Sequence, residues 1–321
     1  LPQQVSDPTA LGSARVFHSN GFVGQRQTGG HWGGDLPAEE AHRYLSALRE
    51  TLTNTGWDFS PKKTKILMLT HNVLAAEQNY SQILGVFQYN DSLLKKEDPH
   101  IRFLADTVEP ACVAFSTGRF GEMFSVIGKR VGSLSNFAEK KDWVRDMKRL
   151  VELRTDRTIG EVIDLLKETR KPSLPEAVIK TERRLAEATR KEIDASRTLT
   201  QIEGLRPLPY SELMTLADFI NDQTPFSTKH GVKGAEFENV LVVLGRGWNQ
   251  YNWTQFLEWF PNRYPTNKEG SYERNRNLFY VACSRPKKNL ALLFTQELTR
   301  GALTTLEGWF GAANISAFAL A

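Results

Sequence analysis

The feature that most constrains this chain is the stretch at residues 225–244, PFSTKHGVKGAEFENVLVVL, in which a polar loop runs directly into an apolar segment. The apolar, β-branched residues 240–244 have the length and composition of a buried strand in a parallel sheet. The loop carries Thr, His, Lys and Glu side chains around two glycines, Gly231 and Gly234. Glycines let a backbone approach a ligand closely, and polar side chains beside them can reach phosphate or sugar. By itself such a pattern is usually a surface turn, so its meaning depends on the rest of the chain.

The composition is that of an ordinary globular protein. Of the 321 residues, 40% are hydrophobic and 24% are charged. No apolar run approaches the length of about 18 residues that a membrane-spanning helix needs, and residues 1–20 do not resemble a secretory signal, so we expect no membrane partner. A net charge of +4 is compatible with a polyanionic partner but does not require one. Cys112 and Cys283 lack the spacing of a disulfide framework or metal site, which favours a reducing, cytoplasmic location.

Strand-like and helix-like patterns alternate over residues 1–89. A strand is predicted at residues 14–19. Asp35 is predicted to be the N-cap of an amphipathic helix, because the residues after it place one apolar stripe at helical spacing. The stripe consists of Ala41, Tyr44, Leu45, Leu48 and Leu52.

A second strand is predicted at residues 65–70, followed by a helix at 73–87. Thr70 and Asn72 stand at the carboxyl end of this strand. In open α/β sheets ligands bind beyond the carboxyl ends of the strands, so both are candidate site residues by position. The alternative is that Thr70 or Asn72 caps the following helix.

Residues 100–200 have a helical pattern almost throughout. Residues 138–197 contain 16 Lys and Arg against 13 Asp and Glu, a balance that indicates solvated helix faces. Helices are predicted at residues 159–169 and 176–195, and Ser211 is predicted to cap a further helix. We interpret residues 90–205 as an all-helical insertion.

Residues 245–270 are rich in aromatic side chains, which either stack on nucleic-acid bases or form a local hydrophobic cluster; the cluster is the commoner arrangement. The next segment predicts a helix ending near Ser284 and a buried strand at residues 289–295. Arg285, in the last turn before a proline, is predicted to project across a cleft, where a planar guanidinium suits the charge of a phosphoryl group.

Two motifs now stand in one chain. Residues 228–237, TKHGVKGAEF, resemble the TxHxxKGxEF motif of UvrD/Rep-type superfamily 1 DNA helicases. Residues 276–285, RNLFYVACSR, resemble that family's RxLxYVAx[ST]R motif. The two occur in the family's order, and each is followed by a predicted strand. Residues 65–78 resemble a weaker motif that opens the family's second motor domain.

The resemblance implies that ATP with Mg²⁺ binds between two RecA-like domains and that single-stranded DNA crosses both. It implies that Arg285 is an arginine finger that reaches the γ-phosphate. Glu236 would accept a hydrogen bond from the ribose, and Gly234 would let the backbone approach the nucleotide.

The resemblance also implies DNA contacts by Thr228 and His230, and by Thr70 and Asn72 of the weaker motif. Residues that support these groups are expected to be Lys233, Arg276 and Tyr280.

Three departures from the family's pattern matter. The phosphate-binding GxxxxGK[ST] loop and its acidic metal-binding partner are absent from the 321 residues, so we expect the first motor domain, with most ligands of ATP and Mg²⁺, to lie in a missing N-terminal part. Residues 74–76, Leu-Ala-Ala, stand where the family often has an arginine for the adenine. Pro286 follows Arg285 where the family usually has alanine, and would end the helix abruptly.

The resemblance therefore predicts an α/β fold: a RecA-like parallel sheet flanked by helices, with an inserted all-helical subdomain. Residues 1–89 and 206–321 would form the second RecA-like domain, and residues 90–205 the insertion. The predicted function is that of the C-terminal motor portion of an ATP-dependent helicase, inactive as an ATPase alone, that acts on single-stranded DNA or a single-strand–duplex junction, for example in DNA repair. The alternatives are a non-catalytic binding module and the helicase subunit of a helicase–nuclease pair, as in some phage-defence systems.

Overall fold

The computed structural model describes residues 12–68, 71–87, 93–128, 136–227, 235–246 and 251–320, with the side chains of 71–73 left out. The chain divides into two compact units. The sheet unit comprises Leu1–Glu77 and Thr224–Ala321, and the helical unit comprises Gln78–Gln223.

Among the described residues, the sheet has six strands in the order β3-β2-β4-β5-β1-β6, and neighbouring strands pair in parallel. The predicted α/β RecA-like fold with a parallel sheet is therefore confirmed. The strands are β1 (Ser13–His18), β2 (Thr64–Met68), β3 (Phe226–Ser227), β4 (Phe237–Leu244), β5 (Pro286–Phe294) and β6 (Ile315–Ala317).

The α-helices are numbered here in chain order. They are α1 (Ala38–Asn54), α2 (His71–Glu77), α3 (Ser81–Val86), α4 (Pro99–Phe103), α5 (Glu109–Ser116), α6 (Phe120–Ile127), α7 (Phe137–Asp156), α8 (Ile159–Thr169), α9 (Glu176–Glu187), α10 (Arg190–Asp194), α11 (Arg197–Leu205), α12 (Tyr210–Ile220), α13 (Trp253–Glu258), α14 (Glu269–Cys283) and α15 (Arg300–Phe310). A π-helical turn, Leu104–Val108, joins α4 to α5. None of the helices in the described parts of the chain has both the length and the apolar character needed to cross a membrane.

The core of the sheet unit lies along β4 and β5. Residues 240–244 of β4 are all buried, as are residues 290–294 of β5. The two segments pair residue for residue, with Val242 opposite Leu292. Such uninterrupted apolar runs suit a parallel sheet, whose two faces are both covered.

The aromatic residues after β4 are packed into this core. Trp253 and Phe256 of α13 are 0% and 2% exposed, and Phe256 contacts Trp309 of α15 with ring centroids 6.1 Å apart. The prediction of a local hydrophobic cluster is therefore confirmed for these residues, and their rings are not available to stack on bases.

The helical unit contains a capped helix start and a buried ion pair between two helices. Thr158 and Glu161 form a capping box at the start of α8, in which the Thr158 side chain accepts from the Glu161 N–H and the Glu161 carboxylate accepts from the Thr158 N–H. Arg154 of α7 and Glu109 of α5 form a buried ion pair. This ion pair joins two helices whose paired residues are 45 positions apart in sequence.

Several local predictions were wrong. Asp35 does not cap α1, which follows Pro37 without a side-chain cap. The helix predicted at residues 73–87 is two helices, because Asn79 between them has a left-handed φ of 56°. Ser211 is not a cap, since α12 begins at Tyr210 after Pro209.

The helical unit, Gln78–Gln223, extends beyond residues 90–205 at both ends. It includes α3 and α12, which contact each other. The Glu212 carboxylate of α12 accepts hydrogen bonds from the backbone N–H groups of Gln82 and Ile83, both at 3.1 Å, and so caps the start of α3.

Candidate functional site

The structure describes four of the predicted site residues with their side chains: Glu236, Arg276, Tyr280 and Arg285. Asn72 is described by its backbone alone, as the second residue of α2. The predictions for the remaining site residues lie outside the described residues: Thr70, Thr228, His230, Lys233 and Gly234.

Glu236 and Arg285 are brought together at the amino edge of the sheet. Each directly precedes a strand, because β4 begins at Phe237 and β5 begins at Pro286. Phe237 and Pro286 are register partners, and the Phe237 N–H donates to the Arg285 carbonyl at 3.0 Å. Two residues far apart in sequence thus occupy neighbouring positions.

The sequence around Arg285 explains this placement. α14 ends at Cys283, since Pro286 lacks the N–H that a continuing helix would need. Proline is tolerated as the first residue of a strand, so β5 begins there. Arg285 therefore lies in a connection of only two residues, and little freedom remains for its backbone.

The Arg285 side chain folds back onto the end of its own helix. Its Nε donates to the Val281 carbonyl at 3.1 Å, and its Nη2 donates to Ser284 Oγ at 3.0 Å. The predicted projection across a cleft is therefore not seen. The physical reason is that the last carbonyls of a helix lack helical partners and attract a cation.

The Glu236 side chain is exposed at the same edge. Its carboxylate lies 3.9 Å from Lys287 Nζ, and the next pair along, Glu238 and Lys288, is separated by 2.9 Å. The hydrogen bond from Lys288 holds the pKa of the Glu238 carboxyl below its usual range. Lys287 and Lys288 were not predicted from the sequence, although the pattern contains a signal: Glu236 and Glu238 flank the first residue of β4, and two lysines follow the first residue of β5.

Arg276 and Tyr280 lie on the exposed side of α14. The Arg276 guanidinium lies 5.9 Å from the centre of the Tyr272 ring and 3.4 Å from a Glu273 carboxylate oxygen. These contacts are within its own helix, so the structure does not bring Arg276 to Glu236 or Arg285.

The two groups of predicted site residues fall at opposite edges of the sheet. Glu236 and Arg285 precede β4 and β5, whereas α2, which contains Asn72, follows the carboxyl end of β2. Since β2 and β4 run in parallel, the start of β4 and the end of β2 lie at opposite ends of the strands.

The amino edge carries groups that suit part of a nucleotide. A carboxylate accepts hydrogen bonds from sugar hydroxyls, and a guanidinium binds phosphate oxygens. By contrast, no group of three or more His, Cys, Asp or Glu side chains within the described ranges is placed to hold a metal ion.

Comparisons with known proteins show the family to which the chain is similar. The family model of the UvrD-like helicase C-terminal domain matches residues 46–297. The Gabija protein GajB of Bacillus cereus (strain HuB5-5) is 33% identical over 116 residues. That match covers 33% of this chain and 17% of the relative, so this chain spans only a small part of the length of the curated protein that it resembles.

Proposed function

The chain belongs to the UvrD-like helicase C-terminal domain family, and from that premise we propose that it is the second RecA-like motor domain of a superfamily 1 DNA helicase. Together with a first motor domain it would hydrolyse ATP and move along single-stranded DNA. The observation that carries the proposal is the placement of Glu236 and Arg285 side by side at the amino edge of the sheet.

Arg285 is the proposed arginine finger. Its guanidinium donates to two neutral acceptors, the Val281 carbonyl and Ser284 Oγ. Hydrogen bonds from arginine to phosphate are charge-assisted and often bidentate, so a phosphate competes well for the same donors. Rotation of the side chain away from the helix end would then place positive charge against the γ-phosphoryl group, where it stabilises the transition state.

Glu236 is the proposed acceptor for a ribose hydroxyl. Its pairing with Lys287 is exposed and long, and such pairs contribute little to stability. A hydroxyl can therefore replace the lysine at little cost. Gly234, without a Cβ, would let the backbone approach the nucleotide.

Thr228 and His230, the proposed DNA contacts, belong to the same sequence motif as Glu236. Through this motif, nucleotide binding at Glu236 would be linked to movement of the DNA strand. Thr70 and Asn72 are proposed to contact DNA at the other edge of the sheet. The supporting residues are Lys233, Arg276 and Tyr280. When bound, ATP supplies the phosphoryl group and Mg²⁺ offsets its charge, with metal ligands from the first motor domain.

The test is the change Arg285→Ala in a protein that contains this chain and the first motor domain. We expect DNA-stimulated ATP hydrolysis to fall by about three orders of magnitude. ATP binding, measured with a fluorescent analogue, should change little. Arg274→Ala is the matched control, since Arg274 is exposed on the same helix and should leave turnover intact. Full turnover with Arg285→Ala would rule out an arginine finger at this position.

The chain of 321 residues alone is expected to show no appreciable ATPase activity, because it contains no GxxxxGK[ST] loop. Purified chain would be assayed for phosphate release with and without single-stranded DNA. DNA-stimulated turnover by this chain would contradict the proposed division of the site between two domains.

The second candidate is a helicase subunit that works beside a separate nuclease. The similarity to the Gabija protein GajB favours this candidate, although it covers 17% of that protein. Isolation of the native protein with its bound partners would test it: a co-purifying nuclease supports the pairing. A scaffold without motor activity would instead be indicated if Arg285→Ala and Glu236→Ala both left the native protein's function unchanged.

A further inference from the structure

Four polar side chains form one row across the amino half of the sheet. Ser13 of β1 is the register partner of Asn289 of β5, Asn289 is the partner of Asn239 of β4, and Asn239 is the partner of Thr64 of β2. Because register partners point to the same face of a sheet, the four side chains lie in line on one face. The proposed mechanism uses none of them.

The row is a continuous chain of hydrogen bonds. Ser13 Oγ donates to Asn289 Oδ1 at 2.9 Å, and Asn289 Nδ2 donates to Asn239 Oδ1 at 2.8 Å. Asn239 Nδ2 then donates to Thr64 Oγ1 at 3.1 Å, and Thr64 Oγ1 donates to the Asp58 carbonyl at 2.6 Å. All donors point in the same direction, an arrangement in which neighbouring hydrogen bonds strengthen one another.

The row crosses β4 and β5 directly after an irregularity in their pairing. Phe237 is the partner of Pro286, whereas Asn239 is the partner of Asn289, so β5 holds one more residue than β4 between the two pairs. Such a bulge twists a strand and re-aims the side chains beside it. The bulge lies between the amide pair and the two residues of the proposed nucleotide site, Glu236 and Arg285.

The amide pair is sensitive to register. Asn239 is 3% exposed and lies beside Val240, and Asn289 lies beside the buried Leu290. A slip of one residue would set Asn239 opposite Leu290 and leave its buried amide without its partner, which is costly. The correct register is therefore the one that satisfies both amides.

We infer that Asn239 and Asn289 are positioning residues, which hold the start of β4 and the start of β5 in the alignment that places Glu236 next to Arg285. The inference rests on the proposed function, because it gives these asparagines a part in nucleotide binding and hydrolysis. Neither side chain needs to touch the nucleotide.

The double change Asn239→Leu with Asn289→Leu removes the amide pair and keeps apolar packing. In the protein that also contains the first motor domain, we expect kcat for ATP to fall about 10- to 100-fold and KM for ATP to rise. A loss of folded protein lowers the apparent kcat but leaves KM unchanged, so the rise in KM separates positioning from damage to the fold. If the double variant does not fold, Asn289→Leu alone serves, since Asn289 is only half-buried.

Two control variants sharpen the result. Asn289→Asp has nearly the same shape, and its carboxylate can accept from Ser13 Oγ and, once the Asn239 amide turns over, from Asn239 Nδ2. Thr64 Oγ1 then donates to Asn239 Oδ1 instead of the Asp58 carbonyl. The link between β4 and β5 is kept, so kcat and KM should stay much closer to wild type than in the double variant. Ser13→Ala removes the outer end of the row, away from the β4–β5 pair, and should also leave both constants unchanged.

Amide hydrogen exchange on the chain itself gives a readout that does not depend on activity. The Phe237 N–H, which donates to the Arg285 carbonyl, should exchange at least tenfold faster in the double variant, while the Val242 N–H further along β4 keeps its rate. Unchanged exchange at Phe237 would overturn the inference. So would unchanged kcat and KM in the double variant when Arg285→Ala abolishes turnover. If Arg285→Ala keeps full turnover, the proposed function itself fails.

Discussion

Glu182 contacts three basic side chains of the helical unit. Its carboxylate accepts from His100 Nε2 at 3.1 Å and from Lys167 Nζ at 2.6 Å, and it pairs with the Arg206 guanidinium. Burial alone would raise the pKa of Glu182, but the hydrogen bonds from His100 and Lys167 and the charges of Arg206 and Lys167 lower it to about 2. The ionised form is thus strongly preferred in the folded protein.

This lowered pKa makes stability depend on pH. A carboxyl group with a depressed folded pKa stabilises the fold above its unfolded pKa, and the stabilisation is lost as the pH falls towards the folded value. The window for Glu182 runs from the ordinary value of 4.5 down to about 2. At pH 7 the contribution is at most about 3 kcal/mol.

We therefore expect Glu182→Gln to lower the free energy of unfolding at pH 7 by about 2–3 kcal/mol. The difference from wild type should shrink as the pH falls from 4.5 and nearly vanish near 2. Urea unfolding across this range measures it. Glu168→Gln is the matched control, because its pair with Arg149 is exposed on both sides. If the loss of unfolding free energy in Glu182→Gln did not change with pH, the lowered pKa of Glu182 would not be its cause.

Asp35 is a residue whose role could not be predicted from the local sequence pattern. An acid before a proline and an amphipathic helix predicted an N-cap, yet the carboxylate is buried and accepts from the backbone N–H groups of Leu36 and Arg246. Burial raises its pKa. The Arg246 contact joins segments far apart in sequence, and no local pattern contains that information.

At the scale of an element, the start of α8 is held by a close backbone approach. The Gly160 N–H donates to the Arg206 carbonyl at 2.8 Å, and a Cβ added at Gly160 would lie 3.0 Å from that oxygen. Gly121 occupies the same second position in α6, with nothing within 4 Å of an added Cβ. Two glycines in equivalent helix positions thus have different reasons to be present.

Gly160→Ala should destabilise the protein by about 1 kcal/mol or more, because Arg206 must shift. Gly121→Ala should instead stabilise it by about 0.5 kcal/mol, through helix propensity and a less flexible unfolded chain. Thermal or urea unfolding of both variants provides the comparison. Equal effects at the two positions would show that the contact with Arg206 is unimportant.

Helices and strands with a strong hydrophobic pattern could be predicted from the sequence, but the residues at which they begin and end could be predicted less well. The stripe of α1 and the apolar runs of β4 and β5 follow directly from hydrophobic periodicity and length. The motifs predicted that Glu236 and Arg285 each precede a strand, but that the two strands are neighbours comes from the structure. The orientation of the Arg285 guanidinium could not be predicted, since it depends on competition between nearby acceptors rather than on spacing.

At the scale of the whole molecule, each unit has its own core. The sheet unit packs Val242 and Leu292 among the aromatic residues of α13 and α15, while the helical unit buries residues such as Leu150 and Ile163. A domain with its own core can in principle fold alone.

We therefore expect the sheet unit to fold when residues 78–223 are replaced by a flexible Gly-Ser linker. The variant should retain a cooperative thermal transition and a protected Val242 N–H in amide exchange. Removal of residues 237–244 instead, which takes out the central strand β4, is the control that should abolish the transition. A linker variant without a cooperative transition would show that the sheet depends on the helical unit.

The order of the strands also has a consequence for synthesis on the ribosome. β1 pairs with β5 and β6, so its partners are made only at the far end of the chain. The helical unit is continuous in sequence and is complete before any partner of β1 or β2 has emerged. We therefore expect the helices of this unit to fold first. Until β4, β5 and β6 are made, β1 and β2 have unpaired edges, which makes the nascent chain prone to aggregation and dependent on chaperones.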